Sequence, residues 1–154
     1  MQKIGLGVIG INPTNMGSTM SLLSGEAELR YELRALCAKR ENTLAKYAQD
    51  LGVSYWTTEY QELIKQKDID VIAVFSPDHL HAEQCLAAIE AGKHVICTKP
   101  MVTSLADAQK LVQAVKRSGV KFLVGQTMRF DLQFLTLQKM FEDGELGTLM
   151  ASEA

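Results

Sequence analysis

Asp70-Val-Ile-Ala-Val-Phe-Ser76 is apolar at every position between its two ends, and Pro77 follows at once. A strand with one wet face alternates polar and apolar residues; one covered on both faces does not need to. The segment therefore predicts a central strand of a sheet with helices above and below. Beyond it, residues 80–91 carry helical spacing, with Ala82, Leu86 and Ile89 on one face and Gly92 at the C-terminal stop. The same alternation runs outward in both directions. Toward the N-terminus lie strand-like segments at 3–10, 32–38 and 53–56, and toward the C-terminus at 94–98 and 120–125. Between them fall helical patterns at 16–23 (with Thr14 or Asn15 as N-cap), at about 42–51, and from about Thr58. Another opens at the capping-box variant Ser104-Leu-Ala-Asp107 and ends at Gly119, and a last one runs over 131–143. Apolar strands separated by helices predict an α/β chain: a doubly wound, mostly parallel sheet with helices on both faces.

The bulk numbers agree with one soluble domain. Of 154 residues, 47% are hydrophobic and 22% charged, with a net charge of −2. The 16 Lys and Arg are balanced by 18 Asp and Glu and form no long basic run, which argues against a nucleic-acid partner. No apolar stretch approaches membrane-spanning length. The opening Met1-Gln2-Lys3 leads straight into a strand, without a signal-peptide pattern. Three scattered cysteines, Cys37, Cys85 and Cys97, each among apolar neighbours, read as buried thiols of a cytoplasmic protein. The segment from Gly144 to Ala154 begins what resembles a further strand, and the chain is expected to be a fragment of a longer protein.

In an open parallel sheet, ligands bind at the carboxyl edge, in the turns that follow the strands. Pro13, Pro77 and Pro100 all fall in such turns, where proline stiffens the loop or simply obeys turn preference. The turn after the first strand reads Gly10-Ile-Asn12-Pro13-Thr14-Asn15-Met-Gly17. A dinucleotide (Rossmann) fold expects G-x-G-x-x-G there. Asn12 stands at the second glycine position and the last glycine comes two residues late. Asn tolerates left-handed backbone better than other side chains, so the turn can form. Thr14 and Asn15 could donate to a phosphate, or the turn could bind nothing. After the second strand, the place of the usual ribose-binding acid holds Ala38, followed by Lys39 and Arg40. An acid would repel a 2′-phosphate; two cations would attract it, which favours NADP over NAD. The alternative is a solvated basic turn with Glu41 as its partner.

Three stretches resemble the Gfo/Idh/MocA family (glucose–fructose oxidoreductase, inositol 2-dehydrogenase and relatives). They are residues 70–82 with Ser76-Pro77-Asp78-His79-Leu80-His81, residues 88–101 with Gly92-Lys93-His94-Val95 and Thr98-Lys99-Pro100, and Val124-Gly-Gln126-Thr-Met-Arg129-Phe-Asp131 followed by Asp143-Gly-Glu-Leu-Gly147. The resemblance implies a dinucleotide-binding domain over 1–128. Residues 129–154 would be a connecting helix and the start of a truncated substrate and oligomerisation domain. It implies hydride transfer between a nicotinamide, NADP or NAD, and a sugar, inositol or related polyol, by a homo-oligomer in the full-length protein. Lys99 matches the family lysine beside the nicotinamide and the substrate hydroxyl. Ser76, Pro77, Asp78 and His81 would line the cofactor, Pro100 would hold the loop, and Gln126 and Arg129 would sit near the nicotinamide end. Gly10, Asn12, Pro13, Thr14, Asn15, Lys39 and Arg40 complete the expected cofactor site.

The chain departs from the family pattern in two ways. Thr98 replaces a glutamate, and the family's second catalytic pair, an Asp followed four residues later by His, has no counterpart, since no histidine follows His94. This chain alone is therefore expected to bind cofactor and turn over little. A cofactor-binding sensor without chemistry is the alternative function. His79, His81 and Cys85 have ligand-compatible spacing, but no further cluster supports a metal. His81 could equally cap its helix locally. Cys97, near Lys99, reads as a buried strand residue rather than a nucleophile.

Overall fold

The structure is a computed structural model that describes residues 3–13, 15–148 and 150. Six strands, β1 (Ile4–Ile9), β2 (Tyr31–Cys37), β3 (Tyr55–Thr57), β4 (Val71–Val74), β5 (His94–Thr98) and β6 (Phe122–Gly125), form one sheet in the order β3-β2-β1-β4-β5-β6. Every pairing is parallel. The helices are α1 (Met16–Ser21), α2 (Glu26–Arg30), α3 (Glu41–Asp50), α4 (Tyr60–Ile64), α5 (His81–Glu90), α6 (Leu105–Ser118) and α7 (Leu132–Glu142). This is the doubly wound order expected from the sequence, and it reverses direction between β1 and β4. Register makes that reversal useful. Ile9 pairs with both Cys37 and Val74, Val74 with Cys97, and Cys97 with Val124. The carboxyl ends of five strands therefore lie in one row, and the turns after them share one edge.

Alternation along the strands splits the core into two layers. Ile72 and Val74 of β4 face a layer with Leu63, Cys85, Ala88, Val95 and Leu111. Val71, Ala73 and Phe75 face the other, with Leu6, Val8, Leu36 and Leu44. Ile72 is fully buried, so its truncation to alanine would cost about 2–5 kcal/mol. Helix α6 begins as its sequence requires: the Ser104 hydroxyl accepts from the Asp107 N–H at 3.1 Å, and Gly119 closes it in left-handed backbone.

Four details differ from the sequence reading. Helix α5 buries His81, Gln84, Cys85, Ala88 and Ile89 rather than the stripe of Ala82, Leu86 and Ile89. The face is rotated by about a residue because a histidine and a glutamine find internal hydrogen-bond partners and take core positions. Helix α1 stops at Ser21, and the short α2 lies where only a loop is expected. Residues 144–148 form turns, with Gly144 and Gly147 at φ +77° and +65°, so the strand expected from Gly144 does not start there. The rest of that expected strand lies largely outside the described residues. Helix α7 buries none of its residues: Phe134, Leu135, Leu137 and Phe141 are each nearly half exposed. No helix among the described residues is long and apolar enough to cross a membrane.

Candidate functional site

A cleft of about 720 Å³ opens over the carboxyl ends of β1, β2 and β4, where the strand order reverses. Its floor is the turn after β1. Gly10 has φ +94°, and a Cβ there would lie 2.4 Å from the Ser76 backbone nitrogen. Only glycine lets β1 leave the sheet so close to β4. Its N–H donates to the Cys37 carbonyl at 2.8 Å, tying the turn to β2 as well. The missing glycines are replaced by an asparagine framework. Asn15 Nδ2 donates to the carbonyls of Gly10 and, at 2.8 Å, of Phe75, while its Oδ1 accepts from the Asn12 N–H at 2.8 Å. Asn12 Oδ1 accepts in return from the Asn15 N–H at 3.2 Å. The expectation that Asn15 donates to a phosphate is thereby corrected: its amide hydrogens are committed to shaping the turn. Asn15 occupies the N-cap position of α1 but makes no side-chain cap bond. Thr14 lies outside the described residues.

One wall of the cleft is the end of β2, with Ala38, Lys39 and Arg40, continued by Thr43 in the first turn of α3. Among the described residues neither cation joins an ion pair, so Glu41 is not the partner that a self-contained basic turn would use. Arg40 stands at the N-cap of α3 and supplies no capping bond. Ala38 contributes no charge where a carboxylate is usual, so the net field at this end is positive.

The opposite wall is the turn after β4. Ser76 and Pro77 line it with His79, Leu80 and Gln84. The Ser76 hydroxyl donates to Gln84 Oε1 at 2.5 Å, and the two residues are only 8% and 6% exposed. Ser76 thus meets the cleft with its hydroxyl already engaged. Thr58 and Tyr60 close the outer side. The Tyr60 phenol donates to Glu83 Oε1 at 2.5 Å; partial burial first, and that acceptor second, push its pKa to about 12. Cys37 also faces the cleft, and burial pushes its thiol up to about 12, so it is no nucleophile at neutral pH. Cys97 is fully buried in β5, as a strand residue should be.

The remaining expected residues stand along the same edge, outside the cleft lining. Lys99 and Pro100 follow β5, with both residues exposed and the peptide bond between them cis; Thr98 is half-buried before them. Gln126 and Arg129 follow β6 and are exposed, as is Asp78 after β4. His81 does not line the cleft either. It is fully buried, and its ring nitrogens face backbone carbonyls on both sides. Sequence reasoning missed Thr43, Thr58, Tyr60 and Gln84. Thr43 was accessible in principle, being in the first turn after the basic pair. Tyr60 and Gln84 reach the cleft only through packing between elements.

The cleft lies where an open parallel sheet binds its ligands, and comparison with known proteins shows the family. Residues 4–126 match the family model described as an oxidoreductase family with an NAD-binding Rossmann fold, GFO_IDH_MocA. The chain belongs to the Gfo/Idh/MocA family. Within that family it is 31% identical over 145 residues to the 1,5-anhydro-D-fructose reductase of Ensifer adhaerens, covering 94% of this chain and 39% of that protein. It is 30% identical over 142 residues to the myo-inositol 2-dehydrogenase of Thermotoga maritima, covering 92% and 42%. The scyllo-inositol dehydrogenase of Lactobacillus casei, solved with bound cofactor NAD(H) and scyllo-inositol, superposes with a TM-score of 0.86 at 22% identity, over 95% of this chain and 43% of that one. That likeness shows the fold alone, a doubly wound sheet of the Rossmann kind. The chain spans about two fifths of the length of these relatives.

Proposed function

We propose that this chain is the cofactor-binding half of a nicotinamide-dependent oxidoreductase that acts on a sugar, inositol or related polyol and prefers NADP(H). The observation that carries the reading is the cleft itself: an aperture at the sheet's switch point, positive at the β2 end, with a lysine farther along the same edge. Its volume falls in the range of about 300–1,000 Å³ usual for small-molecule and cofactor sites. The asparagine-built turn at Gly10 lines the cleft at the place where a pyrophosphate sits in this fold. Among the described residues neither Lys39 nor Arg40 joins an ion pair, which leaves both for a 2′-phosphate, Arg40 in bidentate fashion. Thr43 adds a hydroxyl at the same end.

When bound, the nicotinamide supplies or accepts the hydride. The chain's own part in that chemistry is assigned to Lys99, whose Nζ would hydrogen-bond the substrate hydroxyl and share its proton as the hydride leaves. Gln126 and Arg129, on the next turn along the edge, would orient the nicotinamide end. Thr98 offers a hydroxyl where a carboxylate would otherwise stand, so Lys99 has no anionic neighbour at that position. The relatives quoted above are named for catalysis, which favours an enzyme over a binding-only sensor. Parallel titrations with NADPH and NADH test the cofactor preference. Tighter binding of NADPH is expected; equal or tighter binding of NADH would remove the 2′-phosphate assignment.

A further inference from the structure

His81 opens α5 and is wholly buried, yet it has a polar partner on each side. Its Nδ1 lies 2.8 Å from the Pro100 carbonyl oxygen, and its Nε2 lies 2.8 Å from the Ser76 carbonyl oxygen. A carbonyl only accepts and a neutral imidazole carries one N–H, so the tautomer sets which carbonyl receives the hydrogen bond, while the other ring nitrogen packs against its carbonyl. The two carbonyls belong to different turns. Ser76 begins the turn after β4 that walls the cleft, and Pro100 directly follows Lys99 in the turn after β5. Backbone could not easily make this link, because Pro77 and Pro100 have no N–H to offer at the point of closest need. Among the described residues, His81 is the one side chain within hydrogen-bond distance of both turns.

We infer that His81 is a positioning residue: a rigid internal brace that fixes the Lys99 turn relative to the cofactor cleft without touching the cofactor. The inference rests on the reading of the cleft as an NADP(H) site. A planar ring wedged between two turns suits the task better than a flexible chain, since holding it costs little side-chain entropy. Its ties lie on the β4 and β5 side, away from Lys39 and Arg40 at the end of β2. Loss of the brace should therefore weaken only contacts at the nicotinamide end of a bound dinucleotide.

The test compares NADPH with adenosine 2′,5′-bisphosphate, a probe of the adenylate end alone, by titration of the chain and two variants. His81→Phe keeps a ring but no donor; His81→Gln restores a donor toward the Ser76 carbonyl. For His81→Phe, NADPH affinity should fall about tenfold, roughly 1.4 kcal/mol, with bisphosphate affinity unchanged, and His81→Gln should recover part of the loss. Equal loss of both probes would make His81 a general structural residue, and no loss of either would make the brace irrelevant. Failure of the unmutated chain to bind either probe would instead overturn the cofactor reading, and this inference with it. Should His81→Phe fail to fold, nitrogen NMR of the unmutated chain decides. NADPH must shift the His81 ring resonances and the bisphosphate must not; shifts from both probes or from neither contradict the brace.

Discussion

After β1 the chain reverses through Gly10 and is held by Asn12 and Asn15, two side chains of the turn itself. After β5 it reverses through Lys99 and Pro100 and is held by His81, which belongs to another element. Both turns stand on the same sheet edge and both serve the same proposed cofactor. The first is self-shaped, so its conformation survives as long as its own residues do. The second borrows its shape from α5, which couples the lysine to the wall of the cleft. A motif can thus be absent while its geometry is present, as at Gly10, and present while its support is remote, as at Lys99.

Gly10→Ala should break the self-shaped turn most severely. Positive φ and a Cβ at 2.4 Å from the Ser76 nitrogen together should cost roughly 3 kcal/mol, read as a lower urea midpoint with NADPH binding lost. Asn15→Ala removes the donors to Gly10 and Phe75 and the acceptor for Asn12. At about 1 kcal/mol of net stabilisation per bond, NADPH affinity should drop more than tenfold by titration calorimetry while the fold persists by circular dichroism. Replacing Lys39 and Arg40 with alanine together should weaken NADPH about tenfold and leave NADH unchanged, because only the former meets these cations. The difference should shrink as salt is raised. Ser104→Ala removes the N-cap bond of α6 and should lower stability by about 1 kcal/mol, seen in the melting temperature, with the smallest change in cofactor affinity of these variants, since Ser104 is not among the residues lining the cleft.

Legibility in the sequence followed how local the physics is. The strand 94–98 and the Ser104 cap were readable to the residue, since apolar runs and capping side chains act within a few positions. The parallel, doubly wound character of the sheet followed from continuous apolar strands alternating with helices. The basic pair after β2 was readable because charge needs no partner to be noticed. The buried face of α5 was not, because His81 and Gln84 enter the core only through partners supplied by other elements: the Ser76 and Pro100 carbonyls for His81, and the donating Ser76 hydroxyl for Gln84. The role of Asn15 was misread for the same reason: its partner at Phe75 is sixty residues away. Tyr60 joins the cleft from α4 through tertiary packing, and α2 carries no buried residue to announce it.

The central claim is that the turns after β1, β2, β4 and β5 form one dinucleotide site. Backbone amide NMR of the chain during NADPH addition tests it most directly. The account predicts that Gly10, Asn12, Lys39, Ser76 and Lys99 shift together, with one dissociation constant. Shifts confined to a single turn, or clustered away from the carboxyl edge of the sheet, would contradict it.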